Sequence, residues 1–368
     1  MKSIRPACVG VLACVFAGCG SAASNTNPRL PSTTDAPQAA AGLRLGPSRF
    51  VSLRQDAGGS VVAISDARTD RVVEVVYRIK APLAPSLSLD PDRRHVWITT
   101  SEGPSCTSDI AGCGPRAHSC SSDVMRLDLA TRKIDVVLRG NDNELIDDAV
   151  PSPDGSRIAF SMSGCANGYF NNWLQVMDLR TRHQFSIGKQ AAPCHLLTDQ
   201  QWSADGRHLV AVYGASFDAH SPDDGYGMCE QPHTSQLVLV DAGRPQPGFQ
   251  GRVVRNDPGC EPNAVTTTSH GYAAIEVCGP QPGITGPIRL IRYNARLAAL
   301  GRTPLGRCDG GASIAADTNG DLITSTYQFC AEARGTEPIT KVIIDTDGTL
   351  HTIAELSGGN LMVDNLGW

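Results

Sequence analysis

Three stretches of this chain repeat one phrase. They are Ser88-Leu89-Asp90-Pro91-Asp92 followed by Val96-Trp97-Ile98, Pro151-Ser152-Pro153-Asp154-Gly155 followed by Ile158-Ala159-Phe160, and Trp202-Ser203-Ala204-Asp205-Gly206 followed by Leu209-Val210-Ala211-Val212. Each reads as a strand, a tight turn and an apolar strand. Asp offers a side-chain acceptor to the turn amides and Gly tolerates φ > 0, which is the chemistry such a turn needs. Looser copies stand at Thr268-Ser269-His270-Gly271 and Asp317-Thr318-Asn319-Gly320. A repeat of this kind constrains the fold more than any single strand does, because each unit buries its apolar face only against the next copy.

A second hairpin follows each copy. These hairpins are Val124 to Leu129 with Ile134 to Leu138, Leu174 to Leu179 with Gln184 to Ile187, and Leu237 to Asp241 with Arg252 to Arg255, while Ile288 to Tyr293 and Val342 to Asp345 open the last two. Asp128-Leu129-Ala130-Thr131 and Asp178-Leu179-Arg180-Thr181 form matching turns. Four antiparallel strands repeating about every 50 residues predict propeller blades. Arg49 to Leu53, Val61 to Ser65 and Val72 to Ile79 supply three strands without an opening one, and the tail from Asn360 to Trp368 supplies one more. Joining the tail to the first three closes a ring and removes exposed sheet edges. The expectation is therefore all-β: a six-bladed β-propeller of four-stranded antiparallel blades. Five blades start near residues 84, 146, 198, 262 and 311, and one is shared between the termini. Trp97, Trp173 and Trp202 fall on strands and are expected between blades. Abundant Gly (37) and Pro (24) suit many short strands and turns better than long helices.

The S-P-D-G phrase followed by I-A-F resembles the WD40-like (PD40) repeat of TolB-type propellers, found also in the propeller domains of prolyl oligopeptidase and tricorn-like proteins. Residues 151 to 160 match it closely, residues 202 to 212 well and the other copies loosely. The resemblance covers the chain after residue 43. It implies the fold and a role as an interaction module, and nothing about a substrate.

The N-terminus reads as an export signal. A short basic region (Lys2, Arg5) precedes an uncharged apolar run from Ala7 to Gly18. That run is shorter than the roughly 20 residues of a membrane span. It ends in Phe16-Ala17-Gly18-Cys19, which resembles the bacterial lipobox with Phe where Leu is usual, and so marks Cys19 as the lipidation site. An ordinary secretory signal cut near Ala22 or Ala23 is the other reading, and it would leave the protein secreted. Residues 1–18 are thus a lipoprotein signal peptide, residues 19–42 a flexible tether poor in large apolar side chains, and residues 43–368 the propeller.

The cysteines follow this division. Of 13, Cys8 and Cys14 leave with the signal and Cys19 carries the lipid. The remaining ten are Cys106, Cys113, Cys120, Cys165, Cys194, Cys229, Cys260, Cys278, Cys308 and Cys330. An even number in an exported chain points to disulfides. Most lie just after a second strand or just before a first one, so both sets face one rim. Cys260–Cys278 and Cys308–Cys330 would each pin two loops of one blade, and Cys194–Cys229 would span the loop from Gly214 to Ser235. Cys165 would take a partner among Cys106, Cys113 and Cys120. Many other pairings of ten cysteines remain open.

Asp148 stands three residues before Pro151 and Asp199 three before Trp202, so they are equivalent in adjacent blades; Asp147 and Glu261 lie near the same level. Carboxylates there could hold a cation or a basic peptide segment, or could bond backbone amides of the first strand. The segment Asn141-Asp142-Asn143-Glu144 lacks the spacing of a calcium loop. No C-x-x-C, H-E-x-x-H or G-x-S-x-G occurs, so no metal ligand set, cofactor or catalytic residue is assigned. A formal net charge of -5 and 19% charged residues argue against nucleic acid as a partner. Tyr169, Phe170, Phe217 and Tyr226 fall in long loops, where aromatics suit contact surfaces. The expected protein is a monomeric, membrane-anchored, extracytoplasmic binding module that catalyses nothing. Its partner would be an envelope protein or a cell-wall component. The other expectation is a propeller enzyme of lactonase or sugar-dehydrogenase type, with a cation held by Asp148, Asp199 and Glu261.

Overall fold

The computed structural model describes residues 44–56, 59–79, 86–102, 121–140, 144–164, 172–189, 195–215, 235–254, 257, 259–279, 287–307, 312–328, 339–346, 348–357 and 363–367. These residues are all-β. Blade 1 begins with β1 (Arg49–Asp56), β2 (Gly59–Asp66) and β3 (Val72–Ile79); blade 2 is β4 (Ser86–Leu89), β5 (His95–Glu102), β6 (Ser121–Asp128) and β7 (Ile134–Arg139). Blade 3 is β8 (Glu144–Pro151), β9 (Arg157–Gly164), β10 (Asn172–Asp178) and β11 (Gln184–Ile187). Blade 4 is β12 (His195–Trp202), β13 (His208–Ala215), β14 (Ser235–Asp241) and β15 (Gly251–Val254). Blade 5 is β16 (Cys260–Thr268), β17 (Gly271–Cys278), β18 (Pro287–Asn294) and β19 (Ala299–Arg307). Blade 6 is β20 (Ala312–Ala316), β21 (Leu322–Gln328), β22 (Ile339–Thr346) and β23 (Thr349–Ser357). The last strand, β24 (Val363–Gly367), returns to blade 1 and pairs antiparallel with β1, giving the order β24-β1-β2-β3. The expected closure between the chain's two ends is present. Inner strands touch around the whole ring, from β24 to β4, β8, β12, β16, β20 and back to β24.

Burial explains why these sequences form blades. In β2 the pattern GSVVAISD is buried at six successive positions, as a strand covered on both faces requires. The outer strand β7 is half-buried to exposed throughout. Among the described residues the apolar core divides into six clusters, one for each seam between blades. Trp97, Ile146, Phe160 and Met177 fill the seam between blades 2 and 3. Val150, Val176, Trp202 and Leu209 fill the next. Phe50, Ala315, Ile323 and Val342 fill the closing seam between blades 6 and 1. Trp97 and Trp202 therefore take their expected places. Trp173 departs from expectation: it is only partly buried, with Lys189 Nζ 5.1 Å from its ring centroid. At the start of β10 the indole meets the ammonium of exposed Lys189, and it belongs to none of the buried clusters between blades.

The repeated turns work as their sequences suggest. Ser152 Oγ donates to Asp154 Oδ1 at 2.6 Å, the Ser156 amide donates to the same oxygen at 3.0 Å, and the Arg157 amide donates to Ser152 Oγ at 2.9 Å. Ser203 and Asp205 repeat this pattern with Arg207 and His208. Gly155 and Gly206 both sit at φ +67°. In blade 2 Arg93 occupies the same left-handed place at φ 56°, and its Nε donates to the Leu45 carbonyl at 2.8 Å. The Asp-x-x-Thr turns match as well, with Thr181 N and Oγ1 bonding Asp178 Oδ1 and Thr131 N bonding Asp128 Oδ1. Blade 1 carries a third copy at Asp66 and Thr69.

The two glycine turns differ in what they tolerate. A Cβ on Gly155 would meet nothing within 4 Å, whereas one on Gly271 would lie 2.1 Å from the Tyr293 carbonyl oxygen in β18. Gly155→Ala is expected to cost about 1–2 kcal/mol through left-handed strain alone. Gly271→Ala should cost about 3 kcal/mol or more because backbone must move. Urea denaturation midpoints of the two variants, measured side by side, check this order.

Candidate functional site

The ring places one position of each inner strand at a common level. Ser86, Asp148, Asp199 and Ser313 each stand four residues ahead of the residue whose amide closes the following hairpin, namely Asp90, Ser152, Ser203 and Asp317. All four line a cavity at the axis, with an empty volume of about 440 Å³ including its open mouth, and Ala264 and Val265 complete the level in blade 5. Sequence reasoning found Asp148 and Asp199 but missed Ser86 and Ser313. Their identical offset from the turn was the available signal. Glu261, expected beside the two aspartates, is not among the cavity's lining residues; it pairs with Val277 near the start of β16.

Bulges aim the two aspartates. The β8–β9 register shifts between Asp147 and Val150, and the β12–β13 register shifts between Thr198 and Gln201. Asp148 and Asp199 take φ 49° and 50°, the left-handed region that Asp tolerates better than most side chains. A third shift, between Pro262 and Ala264, falls in β16. The amides freed by the bulge are taken up by blade 2: Asp148 N–H donates to Ser86 Oγ at 3.0 Å and Ala149 N–H to Thr99 Oγ1 at 3.1 Å. The Asp148 carboxylate in turn accepts the Asp199 amide, and the Ser86 hydroxyl bonds both Asp147 and Asp148. These acids thus serve the backbone, as one sequence reading expected, while still facing the axis.

Electrostatics at the ring is costly. Burial, with the Asp148 charge beside it, pushes the Asp147 carboxyl up to about 8. Burial also raises Asp148, and burial plus the Asp148 charge raises Asp199. Among the described residues, the cavity lining includes no Lys, Arg or His. Two polar atoms there are buried without a hydrogen-bond partner, Gln200 Oε1 and Ser313 Oγ. Gln200 is 0% exposed, and its Nε2 donates to the Asp148 carbonyl.

Among the described residues two groups of three ligand-type residues converge within 4.8 Å, both away from the axial cavity, and both are occupied by the protein itself. In Asp90, Asp92 and His95, the Arg126 guanidinium takes the cation's place, 2.8 Å from Asp90 Oδ2 and 3.5 Å from Asp92 Oδ2. In Cys260, Glu276 and Cys278, the two sulfurs are joined. That bridge links directly paired residues of β16 and β17, so it ties two strand ends where a link between loops was expected. Arg289 Nη2 lies 2.7 Å from Cys278 Sγ and 3.7 Å from Glu276 Oε2, and Tyr293 OH donates to Glu276 Oε1 at 3.2 Å. Burial raises the Glu276 carboxyl, against the lowering by Arg289. Cys19, Cys106, Cys113, Cys120, Cys165, Cys194, Cys229, Cys308 and Cys330 lie outside the described residues, as do Tyr169, Phe170, Phe217 and Tyr226. No helix among the described residues is long and apolar enough to cross a membrane.

A raised carboxyl pKa carries a sign for stability. The folded state binds the Asp147 proton more tightly than the unfolded chain does, so this contribution to folding is complete below about pH 4 and is lost as pH rises toward about 8. Folding stability is expected to fall between pH 5 and pH 8, and Asp147→Asn is expected to flatten that fall. Urea titrations of both proteins across this range measure it. The bridge makes a separate prediction: with its cysteines 18 positions apart in sequence, replacing both with serine should cost about 3 kcal/mol.

No protein-family model matches the chain, and no curated protein matches it. Solved structures do show likeness. The periplasmic gluconolactonase PpgL of Pseudomonas aeruginosa is 16% identical, with 84% of this chain and 83% of that one covered and a TM-score of 0.49. A protein assigned as TolB from Agrobacterium tumefaciens is 14% identical, with 87% and 94% covered and a TM-score of 0.49. The tricorn protease is 15% identical with a TM-score of 0.47; 85% of this chain is covered, and it spans only 30% of that protein's length. At these identities and scores, none of the three likenesses assigns this chain an activity.

Proposed function

We propose that this chain is an extracytoplasmic, lipid-anchored propeller that binds a partner of the cell envelope and catalyses no reaction. The observation that supports this reading is the axial ring. Inner strands of separate blades deliver Ser86, Asp148, Asp199 and Ser313 to one level of one cavity, where they can receive a ligand. The enzyme reading needs acids converging on an ion, and the set Asp148, Asp199 and Glu261 is not among the groups whose ligand atoms come within 4.8 Å of one another. Cys19 supplies the anchor, and the Cys260–Cys278 bridge stiffens one edge of the ring. The partner is an envelope protein or a cell-wall component.

Growth of cells expressing the full chain with a clickable palmitate analogue tests the anchor. Label is expected on the wild type in the membrane fraction. Cys19→Ala should lose the label and move to the soluble fraction or the medium. The binding role is tested by turnover assays with lactones and aldose sugars in the presence of Ca²⁺. Flat traces are expected, and turnover abolished by Asp148→Asn would favour the enzyme reading instead.

A further inference from the structure

Blade 5 begins β16 with Cys260 and ends β17 with Cys278, and the two pair directly across the strands. Glu276, two residues before Cys278, lies on the same face of β17. Both sulfurs and a Glu276 carboxylate oxygen lie within 4.8 Å of one another, and all three residues are buried, Glu276 at 1% exposure. Two features of the surroundings do not suit a neutral disulfide. Glu276 Oε2 is buried without a hydrogen-bond partner, while Oε1 is held by the Tyr293 hydroxyl. Arg289 directs Nη2 at both sulfurs, 2.7 Å from Cys278 Sγ. A neutral sulfur is a weak acceptor, so a guanidinium gains little from it; beside thiolates the same contacts become charge-assisted. Asp257 holds Arg289 at 3.4 Å and is itself paired with Arg302 at 3.1 Å.

Opening the bridge changes the balance of charge. Two thiolates and the Glu276 carboxylate against the Arg289 guanidinium leave two negative charges in a buried place, and one divalent cation neutralises them. Two sulfurs and one oxygen are the donor set that favours zinc over calcium or magnesium. Tetrahedral bonds of about 2.3 Å to sulfur and about 2.1 Å to oxygen put ligand atoms roughly 3.6–3.8 Å apart, so a set already within 4.8 Å needs only small movements. We propose that the reduced Cys260–Cys278 pair and Glu276 form a zinc site with water in the fourth position, so that the disulfide and Zn²⁺ are alternative occupants of one pocket. Arg289 and Tyr293 orient the sulfurs and the carboxylate from outside. Both cysteines are synthesised as thiols; Zn²⁺ displaces their two protons as two Zn–S bonds form. A disulfide donor takes two electrons from the sulfurs, is itself reduced to a dithiol, and leaves the S–S bond and a released ion. A dithiol reductant returns two electrons and two protons and departs as its own disulfide. The site is independent of the axial cavity and of what the ring binds.

The full chain, reduced with a phosphine and kept from oxygen, is dialysed against Zn²⁺ beside a Cys260→Ser/Cys278→Ser variant and Glu276→Gln. The wild type should hold one more Zn²⁺ per chain than the double variant, a difference that cancels metal bound by the other cysteines. Oxidation with diamide should erase that difference. Glu276→Gln should weaken the site about tenfold or more and shift the thiolate-to-metal absorption of the Co²⁺-loaded chain. Tyr293→Phe removes the hydroxyl on Glu276 Oε1 and should weaken Zn²⁺ binding by about tenfold, which decides the case if Glu276→Gln does not fold. Alkylation with mass spectrometry reads Cys260 and Cys278 individually: Zn²⁺ should slow their oxidation about tenfold in the wild type and have little effect in Glu276→Gln. Equal metal content in the wild type and the double variant overturns the proposal. So does binding indifferent to both Glu276 and Tyr293, or loss of the β-type circular dichroism on reduction, since the site needs both strands in register.

Discussion

Pairing of β24 with β1 is the interaction on which the arrangement of the other blades depends. Without Val363–Gly367, blade 1 would present β1 as a bare inner edge, and the inner ring would lose one of its six members. The fit leaves no slack. A Cβ on Gly367 would lie 2.9 Å from Leu89 Cβ in the next blade, so the returning strand is packed against β4 at backbone distance. Closure also completes the seam in which Phe50 meets Ile323 and Val342. The six apolar clusters form a cycle, and each blade has both faces covered only when the cycle is complete.

A second level of joining is polar. Ser88 Oγ donates to the Ala149 carbonyl at 2.6 Å, Trp202 Nε1 donates to the Val150 carbonyl at 3.0 Å, and Thr99 accepts the Ala149 amide. Neighbouring blades thus satisfy the backbone groups that the β8 bulge takes out of its own ladder. The same irregularity therefore welds blades 2, 3 and 4 together and turns Asp148 toward the axis. Structure and candidate site share residues here, which explains why carboxyls buried at a cost persist in the ring. Elsewhere charge is buried with its partner beside it, as in the Arg54–Asp70 pair, whose side chains are 4% and 3% exposed.

Much of this was legible in the sequence, because blade boundaries are written in turn chemistry. Asp154 and Gly155 recur as Asp205 and Gly206, and the inner strands begin at Ser86, Glu144, His195, Cys260 and Ala312, close to the expected starts. The lone strand at the C-terminus was legible for the same reason: three strands without an opening partner require one. What escaped was whatever an extra residue decides. A period-two reading assumes an unbroken ladder, so the bulges at Asp148 and Asp199 had no signature of their own. Glu261 looked equivalent by proximity in sequence, but the shift after Pro262 gives blade 5 a different register. Long-range pairing was also hidden. The Arg289 guanidinium beside the Cys260–Cys278 bridge comes from a strand that no local pattern links to it.

The returning strand sets an order of events during synthesis. β1 lies near residue 50 and its partner β24 near residue 365, so blade 1 stays three-stranded until all the strands of the five other blades have been made. Blades 2 to 6 pair only neighbours in sequence and can assemble as they emerge, whereas closure is the longest-range contact and pays its loop entropy last. An incomplete chain is then an open arc with two free edges, available to chaperones, proteases or a second copy. Ring closure marks the moment at which both of those edges disappear.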